Sequence, residues 1–229
     1  MKRTIKTATA ARVALSVIFA AVPITLHAAV PTAANHAQRN LGAEWWQFAL
    51  SFSNAASPIS DETGAACQTG QNGRIWYLFG TFGNQEGSPT VRTCIVPNDR
   101  WLFFPVANFI CTAFPGETAQ ILREQCAAVV ALIDLLEVTV DGTVVANGPP
   151  GFRHLRSDAF SVVVPEDNLF GVGAGVYGPA VDDGYYMLLK PFASGAHTVR
   201  IRGGVSAFGF LVDVIYNLDV VEPGPVIVP

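Results

Sequence analysis

A long alternation of apolar and polar residues near the C-terminus limits the folds open to this chain most strongly. Over residues 208–220 every even position is aromatic or aliphatic, while the odd positions include one glycine, two aspartates and one asparagine. A period of two is typical of a β-strand with one buried face and one solvent face. The even residues of 210–216 are therefore predicted to face the interior of the domain, and Asp213 is predicted to face water.

Further strands are indicated by turn residues between apolar runs. Residues 185–190 and 197–201 flank a turn with an early proline and a late glycine, which predicts a hairpin. Residues 137–145 contain Asp-Gly at their centre, a strong signal for a two-residue hairpin turn. Residues 74–82 and 90–96 are also predicted strands, joined by a reversal at 83–89.

Two helices are predicted among the strands. Asn40 is a candidate cap for a short N-terminal helix at 41–50. A longer helix is predicted between Cys111 and Glu137, where apolar residues recur every three or four positions. Together the patterns predict a mostly β fold: a jelly-roll-like antiparallel β-sandwich with one long helix and a short N-terminal helix.

The first residues have the composition of an export signal. A basic start precedes an apolar run at 13–26, and small residues follow at Ala28 and Ala29, so residues 1–28 are predicted to be a signal peptide and 29–229 a single domain. The apolar run is short for a bilayer span, and no later stretch has a transmembrane composition. Because the leader holds four basic and no acidic residues, its removal makes the net charge of −4 more negative still. An acidic exported domain argues against nucleic-acid binding and indicates a secreted or periplasmic protein.

The four cysteines fit this compartment. An even number of cysteines in an exported chain indicates two disulfides, for which three pairings exist. Cys67–Cys94 and Cys111–Cys126 are predicted, because neighbours in sequence are the easiest to bring together. A zinc site is disfavoured because the chain has no C-x-x-C pair, and no metal is predicted.

No catalytic motif is present, so candidate site residues come from loops and aromatics. Acidic pairs at 61–62, 166–167 and 182–183 fall in predicted loops. Loop carboxylates can bind Ca²⁺, but acidic loop residues more often form turns. No cofactor is therefore predicted. Residues 171–175 superficially suggest a nucleotide loop but do not lead into a helix. His197 is expected to be a structural histidine at the margin of the buried face. The predicted ligand-binding residues are Trp46, Asp61, His154 and Glu166.

Two of these residues have a plain structural alternative. Trp46 lies off the apolar stripe of its predicted helix, so it is either a residue at the margin of the core or a stacking surface for a ligand. His154 lies in a predicted loop between two arginines, which suits either an anion site or an exposed position without a ligand.

Three blocks of the chain resemble a family of uncharacterised secreted bacterial proteins. They cover residues 44–51, residues 76–82 with 92–97, and residues 183–191 with 195–199. The chain departs from the family at Ala193-Ser194, where that turn is often rich in proline. The resemblance implies a similar exported, disulfide-containing domain, and because the family has no assigned activity it implies no catalytic residue.

Two functions from different classes follow. The first is a secreted non-catalytic binding or structural module for a glycan or an envelope component, with loops converging on one end of the sandwich. The second is a secreted hydrolase that uses loop carboxylates and a histidine, His154 or His197.

Overall fold

Ten strands in two five-stranded sheets are the main secondary structure of residues 33–223, the part of the chain that the computed structural model describes. The predicted mostly β fold is confirmed, and two packed sheets fit a β-sandwich. The predicted leader at 1–28 lies outside the described residues. The strands are β1 Ile75–Tyr77, β2 Thr90–Pro97, β3 Trp101–Thr112, β4 Leu135–Val140, β5 Thr143–Asn147, β6 Arg153–Arg156, β7 Phe160–Val164, β8 Gly175–Leu189, β9 Gly195–Val205 and β10 Phe210–Val221.

The first sheet, sheet A, is built around the 15 residues of β8. Its order is β1-β3-β8-β6, and β7 pairs with the part of the β8 edge that β6 leaves free. β8 begins at Gly175, at the end of the glycine-rich segment 171–175. The predicted loop containing His154 is wrong, because His154 lies in β6 and pairs with Tyr185.

The second sheet, sheet B, has the order β2-β10-β9-β4-β5. The predicted hairpin of β4 and β5 is confirmed, since the two strands pair across Asp141-Gly142. The hairpin predicted from residues 185–190 and 197–201 is wrong, because β8 and β9 flank that turn but lie in different sheets. The predicted hairpin of β1 and β2 is wrong. Each of these strands is instead an edge strand of a different sheet, paired in parallel with β3 or β10, so the sandwich is not wholly antiparallel. The jelly-roll arrangement stays a prediction.

The main core lies between the sheets, and the alternation in β10 builds one side of it. Val212, Val214 and Tyr216 are buried there, and Phe210 packs against them, as the period of two predicts. The sheets approach each other closely at Gly203, where a Cβ would overlap the carbonyl oxygen of Val106.

Asp213, on the other face of β10, is buried rather than wet. Arg200 donates to both of its carboxylate oxygens, at 2.9 and 2.8 Å, and the Arg202 guanidinium lies 3.4 Å from it. The loop residue Asn84 accepts a hydrogen bond from its backbone N–H. The alternation alone predicts that this carboxylate faces solvent. It is buried instead because two neighbouring arginines and a loop cover it.

The lengths of the helices are the reverse of the prediction. The N-terminal helix α1 spans Ala33–Ala49, 17 residues, while α2 spans Ala119–Val130, 12 residues. Asn40 lies inside α1 rather than capping it, and its side-chain amide exchanges two hydrogen bonds with Asp158. Thr118 caps α2 by accepting from Ile121 N–H. No helix among residues 33–223 is long and apolar enough to cross a membrane.

Both predicted disulfides are confirmed. Cys67–Cys94 joins the segment before β1 to β2, and Cys111–Cys126 joins the end of β3 to α2. Cys126 lies on the buried side of α2 with Leu122, so this disulfide holds α2 against sheet A. Each bond restricts the unfolded chain, which typically stabilises a domain by about 2–4 kcal/mol.

One buried cation ties the loops to the sandwich. Arg92 in β2 is 1 % exposed. Its guanidinium donates to four backbone carbonyls and to the Tyr216 hydroxyl, the last at 2.8 Å. The carbonyls belong to residues 59, 61, 79 and 80. A charged donor group with all its N–H groups directed at oxygen atoms is tolerated in a core, and here it fixes two loops to one strand.

Candidate functional site

The outer face of sheet A, which points away from sheet B, is divided into two halves. Helix α1 covers the first half, where Trp45, Trp46 and Ala49 are buried against Phe79, Phe103 and Tyr186. The helix ends at Ala49. Beyond it the ends of β3 and β7 and the start of β8 remain open to a cavity. These regions are called the covered half and the open cleft below.

Asp182 in β8 is the centre of the covered half. Its Oδ1 accepts hydrogen bonds from Trp46 Nε1 at 2.9 Å and from the Tyr186 hydroxyl at 2.5 Å. The Tyr186 oxygen in turn accepts from Asn108 Nδ2 at 2.9 Å. This chain of polar groups joins α1, β8 and β3 inside an otherwise apolar layer, so each member depends on the others for its partners.

The second carboxylate oxygen of Asp182 is buried without a hydrogen-bond partner. It faces Gly42 of α1, where a Cβ would overlap it, so the helix approaches this closely only because residue 42 is glycine. An unpaired oxygen in a dry site favours the protonated carboxyl group. Burial raises the pKa of Asp182 to about 7; the hydrogen bonds from Tyr186 and Trp46 oppose this change and the charge of Asp183 adds to it.

Trp46 is therefore part of the core and not a stacking surface. Only 6 % of the residue is exposed, and its indole N–H is bonded to Asp182. Of the two interpretations of Trp46, a residue at the margin of the core and a stacking surface for a ligand, its burial favours the first and excludes the second. The sequence correctly predicted that Trp46 lies off the apolar stripe of the helix. It could not show that β8 supplies the carboxylate of Asp182 on that side of the helix.

His154 is held by the next residue of β8. Its Nε2 lies 2.6 Å from Asp183 Oδ1, and its ring stacks on Tyr185 with centroids 4.6 Å apart. Arg156 Nε is 3.2 Å from the other oxygen of Asp183. The predicted loop position of Asp182 and Asp183 is thus wrong: both lie inside β8 and are buried. Neither His154 nor Asp183 is hydrogen-bonded to a serine, threonine or cysteine side chain among the described residues.

Asp61 and Glu166 occupy separate turns. The Asp61 carboxylate accepts backbone N–H bonds from Thr63, Gly64 and Ala66 at 2.8–3.0 Å, which is the role of a turn-forming aspartate. Burial alone would raise the pKa of Asp61, but the hydrogen bonds from the following turn outweigh it and lower the pKa. Glu166 is exposed between β7 and β8.

The four predicted ligand-binding residues thus do not form one site. No hydrogen bond, ion pair or ring contact in the described part of the chain joins any two of Trp46, Asp61, His154 and Glu166. Residues 40–223 also contain no group of three or more His, Cys, Asp or Glu side chains arranged to hold a metal ion.

His197 is a structural histidine, as predicted. Its Nδ1 lies 2.8 Å from Asp141 Oδ2 and its Nε2 lies 3.0 Å from the Ala193 carbonyl, and the ring stacks on Phe192. The hydrogen bond with Asp141 is the main cause of its raised pKa. These contacts close the turn between β8 and β9 onto the Asp-Gly hairpin turn.

The open cleft was not predicted. It has a volume of about 420 Å³, within the range of small-molecule sites, and its walls are almost entirely apolar. They come from the residue after α1, the end of β3 and the two residues after it, β7, the start of β8 and the loop before it. The lining residues are Leu50, Ile110, Thr112, Ala113, Phe114, Val162, Val164, Phe170, Val172 and Tyr177.

The loop on one side of the cleft is held in place by Asn168, which is buried. Its Nδ2 donates to the carbonyls of Pro165 and Val172, and its Oδ1 accepts from the N–H groups of Phe170 and Val172. The loop leads into β8 and not into a helix, so the nucleotide-loop alternative is excluded. Asn168 therefore positions two apolar side chains at the cleft, although Phe170 is 47 % exposed.

The opposite wall is held by the Cys111–Cys126 disulfide. Thr112, Ala113 and Phe114 follow Cys111 directly, and α2 fixes that cysteine from the other side. Phe114 is 76 % exposed. Phe114 and Phe170 extend the apolar surface of the cavity to its edges, and contiguous exposed apolar surface is one feature of interaction sites. In the sequence, the cleft is indicated only by apolar residues, Phe114 and Phe170, in two turn-rich segments. An analysis of hydrophobic periodicity does not detect such isolated residues.

No protein-family model, curated protein or solved structure matches the chain. The resemblance to a family of secreted bacterial proteins stays a prediction.

Proposed function

We propose that this chain is an exported, non-catalytic binding module whose ligand is apolar and occupies the open cleft. The observation that carries the proposal is the apolar cavity of about 420 Å³ between two loops that are held by a buried asparagine and a disulfide. Pre-formed apolar cavities of this size bind small ligands because burial of apolar surface is favourable and little ordering is needed.

The polar groups of the cleft fit binding better than catalysis. The Tyr177 hydroxyl is already bonded to the Gly173 carbonyl at 2.7 Å, and Thr112 is the other hydroxyl of the lining. Neither is hydrogen-bonded to a histidine or a carboxylate among the described residues. The hydrolase alternative needs a site that combines loop carboxylates with His154 or His197. His154 is bonded to Asp183 and His197 to Asp141, and neither histidine lines the cleft.

The compartment and the ligand are also part of the proposal. Two disulfides suit an oxidising compartment such as the periplasm or the cell exterior. A glycan partner loses its stacking surface with the burial of Trp46. An envelope component with an apolar part fits the cleft, where Phe114 and Phe170 remain available at the edge.

Titration with phenylnaphthylamine, an uncharged apolar fluorophore, tests this function. The purified protein is expected to raise the fluorescence and to saturate at one equivalent. Phe170→Ser removes one wall of the cleft, and Thr112→Trp fills it from an exposed position; each is expected to weaken binding at least about tenfold, the effect of losing roughly 1.4 kcal/mol of apolar contact.

Phe208→Ser is the matched control, since Phe208 is 46 % exposed, as Phe170 is at 47 %, but does not line the cleft. It is expected to bind the fluorophore as the unchanged protein does. The proposal fails if the unchanged protein does not bind, or if Phe208→Ser weakens binding as much as Phe170→Ser does.

A further inference from the structure

We infer that the open cleft selects apolar ligands with a cationic end over neutral ones, and neutral ones over anionic ones such as fatty acids. This inference rests on the proposed function and adds the charge of the ligand to it. Its basis is the distribution of charged residues around the cavity.

The segments that form the walls contain acidic residues and no basic ones. Residues 48–51, 105–118 and 160–181 hold three carboxylates, those of Glu117, Glu166 and Asp167, but no lysine, arginine or histidine. These are the segments that supply all ten lining residues. A charged ligand end that leaves the cavity therefore meets carboxylates of the walls and no cation from them.

Glu117 is the carboxylate with a defined place at the edge. Its Oε2 accepts a hydrogen bond from the backbone N–H of Phe114 at 2.8 Å, so it lies against a residue that lines the cleft. Its Oε1 accepts from Gln125 of α2 at 2.8 Å. These two hydrogen bonds lower the pKa of Glu117, which keeps the carboxylate charged at neutral pH.

On the other side, Glu166 and Asp167 directly precede Asn168. Both are exposed. No ion pair joins either of them, or Glu117, to a basic residue in the described part of the chain. Three unneutralised carboxylates near one apolar cavity produce a negative local potential, which attracts a cationic end and repels an anionic one.

The cavity lining offers no cation and few hydrogen-bond donors to an anion. A buried carboxylate needs hydrogen-bond donors or a cation to replace its water. Because the Tyr177 hydroxyl donates to Gly173, only the Thr112 hydroxyl remains in the lining as a side-chain donor. A fatty acid would therefore have to keep its carboxylate in water, among the acidic residues of the edge.

Three ligands with the same ten-carbon chain test the inference: decyltrimethylammonium, decanol and decanoate, each titrated by calorimetry below its micellar concentration. We expect affinity to fall in that order, with about tenfold between the cation and the anion at low salt. The difference should shrink at about 0.5 M salt, because ions screen exposed charges. Glu117→Gln keeps the acceptor for Phe114 N–H, and it is expected to reduce the preference for the cation about threefold without changing decanol binding.

Glu222→Gln is the control, since Glu222 follows β10 and is bonded to Asn98 and Ser194. It should leave all three affinities unchanged. Decanoate that binds as tightly as the cation, or a preference that survives Glu117→Gln unchanged, overturns the inference while the proposed function stands. If none of the three ligands binds, the cleft is not a site for apolar ligands and both proposals are wrong.

Discussion

The covered half and the open cleft lie on the same face of sheet A and share β3 and β8, yet the aromatic side chains of the first are buried and those at the edge of the second are exposed. In the covered half Trp45, Trp46 and Tyr186 are at most 6 % exposed, and polar atoms of all three are hydrogen-bonded. In the cleft Phe114 and Phe170 are 76 and 47 % exposed. Helix α1, which covers the first half, ends at Ala49, and Leu50 directly after it already lines the cleft.

This comparison indicates which half serves stability and which serves binding. Apolar surface that stays exposed costs free energy, so a chain selected for stability alone would cover it or replace it. Here the loops around it are instead fixed by Asn168 and by a disulfide. Changes in the covered half should therefore act on unfolding, and changes in the cleft should act on ligand affinity.

The largest effect is expected from Trp46→Ala in the covered half. The change leaves a cavity in a packed layer and removes a hydrogen-bond donor from Asp182, so it should destabilise the domain by about 3–5 kcal/mol. Phe114→Ala in the cleft should change the free energy of unfolding by less than about 1 kcal/mol. Urea unfolding of both variants measures the contrast, and similar losses would mean that the two halves do not differ as described.

A pH dependence is expected from Asp182 in the covered half. Its pKa is about 7 in the folded protein, above the ordinary value of 3.8. Between these values the folded state binds more protons than the unfolded state, so this group makes stability fall as pH rises from about 4 to 7. The total change should be on the order of 3 kcal/mol.

Asp182→Asn keeps the shape of the side chain and removes the titration. The difference in unfolding free energy between this variant and the unchanged protein, measured across that pH interval, isolates the contribution of Asp182 from the other carboxylates. A difference that does not vary with pH would show that Asp182 is ionised in the fold, and the buried oxygen facing Gly42 would then need a partner.

The two disulfides give the third and smallest expected effect on stability, and they differ in their expected effect on ligand binding. Replacing Cys111 and Cys126 by serine should cost about 2–3 kcal/mol and should also weaken ligand binding, because that bond holds the wall formed by residues 112–114. Replacing Cys67 and Cys94 should cost a similar amount and leave binding unchanged. Ligand titration of the two double variants, at a temperature where both are folded, separates these outcomes; equal binding by both would show that the wall does not depend on its disulfide.

Features set by residues close in sequence could be predicted. The alternation in β10, the Asp-Gly turn between β4 and β5, and both disulfides follow from local patterns. Each of these features depends on residues that are close in sequence: the period of two within one strand, the residues of one turn, or the short segment between two paired cysteines.

Features that depend on distant partners were missed. β1 and β2 lie in different sheets because β2 pairs with β10, more than a hundred residues later in the chain. Asp182 and Asp183 look like turn residues before Gly184, but Trp46, Tyr186, His154 and Arg156 satisfy them inside β8. The cleft was missed for a related reason, since it arises where α1 ends and not from any one segment.

Methyl NMR spectra of the protein with and without decanol test the central claim, that the open cleft is a ligand site, most directly. The account predicts shift changes confined to the methyl groups of the cleft, those of Leu50, Ile110, Val162, Val164 and Val172. The exposed valines of sheet B, Val91, Val144 and Val145, serve as internal controls and should not shift. Shift changes at these valines, or none in the cleft at saturating decanol, would contradict the account.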